Sequence, residues 1–185
     1  MKLQFNPQRL DVRAFALACG QVTGTLPLAV LKRLAQDAPA MDYAQQVAWL
    51  ARGEVRTGGD GQAQYWLHLD AAASVPLICQ RCLAPVETSL VVARWFRFVA
   101  DEATAQAQDD ESEEDLLVMA GDFNLCELVE DELVLELPLI ARHEHCPVPP
   151  RLQAEDPEFA ALSQAREKPF AALAGLKLPN REKAG

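Results

Sequence analysis

From Tyr65 to Cys79 the odd positions are Tyr65, Leu67, Leu69, Ala71, Ala73, Val75, Leu77 and Cys79, with Gln64, His68, Asp70 and Ser74 on the other parity. Side chains of a strand point alternately to its two faces, so this run predicts one long strand with a single buried face. A helix would scatter the same positions around its axis. Pro76 cannot donate to a ladder and places an edge or bulge near the end of the strand.

The neighbouring segments carry the same period. Tyr43, Val47, Trp49, Ala51 and Val55 oppose Gln46, Arg52, Glu54 and Arg56. Gly58-Gly59-Asp60-Gly61 then predicts a turn. Val86, Leu90, Val92, Phe96 and Phe98 share a face of a third strand ending near Val99. Helical signals lie outside this block. Asp11 is placed to cap a helix over 12–18 that Gly20 closes. Gln21 to Leu28 reads as a short extended piece, and Pro27 suits the first turn of a helix carrying Leu28, Leu31 and Leu34. Asn124 or Asp122 caps a helix with Leu125, Leu128, Val129, Leu133 and Leu137, stopped by Pro138. Asp115 to Met119 reads as a further short strand. The expected fold is α+β: an antiparallel sheet from about Tyr43 to Val99 with flanking helices, in one domain over 1–150.

Two segments escape the pattern. Ala100 to Asp115 holds eight acidic residues and no basic one, which predicts an acidic mobile loop over 101–114. Residues 151–185 read as an irregular C-terminal tail. Within it, a small amphipathic patch at Phe170, Leu173, Leu176 and Leu178 marks 168–178 as a docking segment.

Charge narrows the function classes. A net charge of −10 and a pI near 4.7 argue against bulk binding of nucleic-acid backbones. They suit a basic protein partner. No stretch is long and apolar enough for a membrane span. Met1 to Pro7 lacks the apolar core of a secretory signal, so a cytoplasmic protein is expected.

The chain has five cysteines. Cys79-Gln80-Arg81-Cys82 joins two predicted antiparallel strands, and His143-Glu144-His145-Cys146 follows far downstream. Thiolates and imidazoles are the preferred ligands of zinc, and cysteines two apart on a hairpin knuckle reach one ion without strain. Candidate ligands are therefore Cys79, Cys82, His143, His145 and Cys146. His143 pairs more easily with Cys146 than the adjacent His145 does. A thiol redox role would want the CxxC at the start of a helix, which Pro85 and the β pattern oppose. On the third strand Arg94, Trp95 and Arg97, together with Arg81, form a candidate surface for unpaired bases or a partner. No Gly-rich phosphate loop or nucleophile elbow occurs, and no residue is singled out as catalytic.

Leu77-Ile78-Cys79-Gln80-Arg81-Cys82-Leu83-Ala84-Pro85 resembles the YceD family, the large ribosomal RNA subunit accumulation proteins. The resemblance continues, in the family's order, through Asp115 to Met119, Glu127 to Pro138, His143 to Cys146, and Lys168 to Lys177. It implies a non-enzymatic ribosome biogenesis factor needed for synthesis, processing or stability of 23S rRNA. The implied partner is 23S rRNA or the pre-50S particle, reached through a basic ribosomal protein, with no small-molecule substrate. Some members carry more cysteines near the second cluster, which implies a zinc knuckle there; this chain lacks those extra cysteines. The alternatives are a zinc-knuckle protein-binding module and a thiol redox protein.

Overall fold

In a computed structural model of the 185-residue chain, residues 4–38, 45–59, 61–148, 156 and 159 are described. A first unit over 1–148 holds every element named below, and a second spans 149–185. The predicted docking segment 168–178, the strand position Tyr43 and the turn residue Asp60 lie outside the described residues.

The alternating segments form the strands that their period requires. β1 (Gln21–Pro27), β2 (Gln46–Thr57), β3 (Ala63–Ile78) and β4 (Pro85–Val99) make an antiparallel meander. The odd positions of β3 and the even positions of β4 enter one core: Leu67, Leu69, Val75 and Leu77 meet Leu90, Val92, Phe96 and Phe98. β2 stops pairing at Ala48↔Ala72, while β4 follows β3 as far as Ile78↔Pro85. Pro76 therefore lies where β3 has lost one neighbour in the sheet, and its missing N–H is tolerated there.

The sheet is mixed rather than purely antiparallel. β5 (Asp115–Val118) lies parallel to β4, from Phe96↔Asp115 to Val99↔Val118, and completes the order β1-β2-β3-β4-β5. A parallel neighbour needs a crossover, and residues 100–114 supply it. The expected loop over 101–114 is accordingly helical in part. α3 (Glu102–Gln108) is followed by a 3₁₀ turn over Asp109–Glu111. Asp101 caps α3 by accepting the Thr104 N–H at 2.8 Å, and that bond holds its carboxyl below the usual range. α3 buries none of its residues, so no apolar stripe announced it. Arg97 of β4 ties the crossover down instead, donating to Glu114 (2.6 Å), Gln108 (2.9 Å) and Ser112 (2.6 Å).

Three helices cover the core face. α1 (Val12–Leu17) is capped by Asp11, which accepts the Ala14 N–H at 2.9 Å. A 3₁₀ turn over Leu28–Val30 leads into α2 (Lys32–Asp37). α4 (Leu125–Leu135) buries Leu125, Leu128, Val129 and Leu133, and Asn124 caps it from the predicted position. α1 lies close against the sheet at Gly53, where an added Cβ would sit 2.6 Å from the Phe15 ring and 3.0 Å from the Ala16 backbone. A backbone neighbour cannot rotate away. Gly53→Ala is therefore expected to cost about 2–3 kcal/mol of overpacking strain, read as a lower urea midpoint. An unchanged midpoint would contradict this packing.

Candidate functional site

The hairpin between β3 and β4 is closed by the CxxC itself. The Cys79 N–H donates to the Ala84 carbonyl at 3.0 Å, and the Leu83 N–H to the Cys79 carbonyl at 2.9 Å. Leu83 takes φ +60 to close the turn. After α4, Pro138 ends the helical path and the chain returns to this knuckle. The Gln80 N–H donates to the Ala141 carbonyl at 2.9 Å, and Arg81 donates to the carbonyls of His143 and, at 3.1 Å, Glu144. Arg81 thus clamps the returning loop.

That return brings Cys79, Cys82, His143 and Cys146 together, with one donor atom of each within 4.8 Å of the others. The sulfurs of Cys79 and Cys146 are 3.9 Å apart, and His143 Nδ1 is 3.4 Å from the Cys82 sulfur. A tetrahedral zinc with ordinary bond lengths would put two sulfurs about 3.8 Å apart and a sulfur and a nitrogen about 3.5 Å apart. The donor set and its spacing therefore fit zinc. His143 Nε2 lies 3.0 Å from the Pro85 carbonyl. Donation there places the proton on Nε2 and leaves the Nδ1 lone pair facing the thiols, the usual support for a metal-binding histidine. His145 stands outside the group and is exposed.

The electrostatics favour one thiolate. Burial of the fully covered Cys79 sulfur opposes its ionisation, but backbone N–H groups of Cys82, His143 and Arg81 outweigh it and bring the thiol down to about 5. Cys146 is pushed up, first by burial and then by the neighbouring sulfurs of Cys82 and Cys79.

The β4 residues form a different region. Arg94 pairs with Asp115 (3.5 Å), Glu132 (3.5 Å) and Glu136 (3.6 Å), and so joins the sheet to α4. Arg97 is committed to the crossover. Trp95 is half-buried on the face away from the helices, where it meets Trp66 (centroids 6.4 Å) and His68 (4.6 Å). The Arg56 guanidinium lies 4.1 Å from the centre of each tryptophan. Trp66 and Arg56 were not among the residues singled out in the sequence. The available signal was an indole on the polar parity of β3; the register pairs His68↔Trp95 and Trp66↔Arg97 assemble the rest.

Residues 67–177 match the family described as Large ribosomal RNA subunit accumulation protein YceD. A Haemophilus influenzae protein of that name is 32% identical over an alignment 149 residues long; the alignment covers 72% of this chain and 83% of the relative. No solved structure matches. The matched region takes in nearly all of β3, the knuckle, β4, α4 and the returning His143–Cys146 loop, and on this match the chain belongs to the YceD family.

Proposed function

We propose that this chain is a non-enzymatic ribosome biogenesis factor needed for the synthesis, processing or stability of 23S rRNA. The family match over 67–177 carries this reading. It acts in the cytoplasm on 23S rRNA or the pre-50S particle, by way of a basic ribosomal protein, and takes no small-molecule substrate. Residues 1–150 are the working body, and the tail 151–185 adds a docking segment at 168–178.

The knuckle serves this role as a clip. Cys79, Cys82, His143 and Cys146 would hold zinc, which when bound supplies a cross-link between the β3–β4 turn and the loop after α4. Four protein donors leave no open position for substrate, which supports a structural rather than a catalytic ion. The same site supports the second reading, a zinc-knuckle protein-binding module. Thiol redox chemistry has less support, because Cys79 is fully covered and the CxxC joins strands rather than opening a helix.

The RNA or partner contacts are drawn from Arg81, Arg94, Trp95 and Arg97, of which Arg81 lies at the knuckle, Arg94 reaches toward α4, and Trp95 lies on the face away from the helices. The ion pairs of Arg94 and Arg97 with carboxylates favour a protein over a phosphate backbone as the direct contact. Sedimentation of ribosomes from a deletion strain tests the role. Fewer 50S subunits with accumulating precursors are expected, and a normal 50S peak would overturn it.

A further inference from the structure

We propose that the outer face of the sheet carries a receptor for an arginine or lysine side chain of a basic polypeptide, in the notch between Trp66 and Trp95. The inference specifies the partner contact of the role above and rests on that reading for its biological setting.

The two indoles meet at 77° with their centroids 6.4 Å apart, so they form two walls of a notch. A cation beside such rings is attracted by their negative faces. The notch opens into a cleft of about 560 Å³ lined by Arg56, Trp66, Ala93, Arg94, Trp95 and the acidic run Glu113, Glu114 and Asp115. Two aromatic walls with a carboxylate rim make a cage that recognises organic cations.

The molecule already displays the occupant. Arg56 places its guanidinium 4.1 Å from both ring centres while its Nε donates to Glu54. It acts as an internal stand-in that an incoming side chain replaces. Trp66 is 7% exposed, and its indole N–H has no hydrogen-bond partner. Buried donors are ordinarily satisfied; this one cannot serve the cationic head, which carries donors only, and is left for a backbone carbonyl of the incoming peptide.

Charge selects the partner class. Of the cleft's two arginines, Arg94 is committed to Asp115, Glu132 and Glu136, and Arg56 is the displaceable one. Glu113 is exposed and makes no ion pair among the described residues. A nucleobase stacked in the notch would carry its phosphate against Glu113, Glu114 and Asp115. A basic peptide gains chiefly from Glu113, since Glu114 and Asp115 already pair with Arg97 and Arg94, and the net charge of −10 steers it in.

The test titrates the purified full chain with a fluorescein-labelled peptide of alternating arginine and glycine, and separately with labelled oligouridylate. The peptide is expected to bind and perturb tryptophan fluorescence, with Trp95→Ala weakening it about three- to thirtyfold. Glu113→Gln, a change at an exposed position that does not threaten folding, is expected to weaken it by a smaller factor. Arg56→Ala is expected to tighten binding several-fold, because the competing side chain is gone. Arg52→Ala removes the same charge from the same face outside the cleft, where Arg52 pairs with Asp70, and controls for net charge. Equal peptide affinity in Arg56→Ala and Arg52→Ala would overturn the inference. So would tighter binding of oligouridylate than of peptide, lost in Trp95→Ala, which would make the notch an RNA platform. All readouts use purified protein, so they hold or fail independently of any rRNA phenotype.

Discussion

Serine in place of Cys82 is expected to abolish metal retention and release the loop 141–146 from the β3–β4 knuckle. Wild-type protein purified without chelator should contain about one zinc per chain, by the four-ligand rule for a structural site. The variant should contain none. The magnitude follows from linkage: a ligand that binds only the closed knuckle, at a hundred times its dissociation constant, stabilises it by about 2.7 kcal/mol. Removing it should therefore cost on the order of 3 kcal/mol locally. Hydrogen exchange reads this directly, because the Gln80 amide is protected by the Ala141 carbonyl. Metal-free wild-type protein with unchanged Gln80 protection would sink the clip. Acid should mimic the substitution. Cys79 sits at about 5 when folded against an ordinary 9.0. A depressed pKa contributes stability that is complete above the higher value and is lost as pH falls through the lower one. In the metal-free protein the loop should thus loosen as pH falls toward 5, and bound metal should move that loss to lower pH.

Arg94→Ala is expected to act on stability. The Glu132 side chain is 6% exposed. Burial raises its pKa, and Arg94 opposes that rise. Without Arg94, the buried carboxylate faces Asp115 and Glu136 with no cation among its ion-pair partners. Removing one partner of a fully buried pair costs about 3 kcal/mol or more, but the Arg94 side chain is 42% exposed, so screening brings the expected loss to about 1–2 kcal/mol. The pH dependence has a definite sign. Glu132 already holds its proton more tightly folded than unfolded, and the substitution strengthens that preference. The penalty should be largest at neutral pH and shrink toward the ordinary carboxyl value of 4.5. Adding Glu132→Gln to Arg94→Ala should recover most of the loss in urea unfolding. A pH-independent penalty, or no recovery, would show that Arg94 acts through packing of its stem.

The strands were legible because each of β2, β3 and β4 buries one face, which writes a period of two into the chain. α4 was legible from its leucine stripe and from Asn124, whose side chain accepts the Cys126 N–H at 3.1 Å. The short strand read over Asp115 to Met119 stands as β5 (Asp115–Val118), but its parallel pairing with β4 was not legible, and neither was α3, which buries nothing. What fixes the crossover is Arg97 reaching across from β4, a contact that local pattern does not record. The site divides in the same way. The spacing of Cys79 and Cys82 on a hairpin was visible. His143, already favoured over His145 by spacing, lies 3.4 Å from the Cys82 sulfur because the Gln80–Ala141 and Arg81–Glu144 bonds turn the returning loop, a placement the sequence did not carry. Trp66 was hidden because its meaning depends on the register that sets Trp95 beside His68.

The ratio of 23S to 16S rRNA in cells depleted of this chain tests the central claim most directly. Depletion should lower the ratio. Re-expression of the wild-type chain should restore it, and re-expression of Cys82→Ser should restore it only in part. A ratio that does not move when the chain is removed would contradict the account.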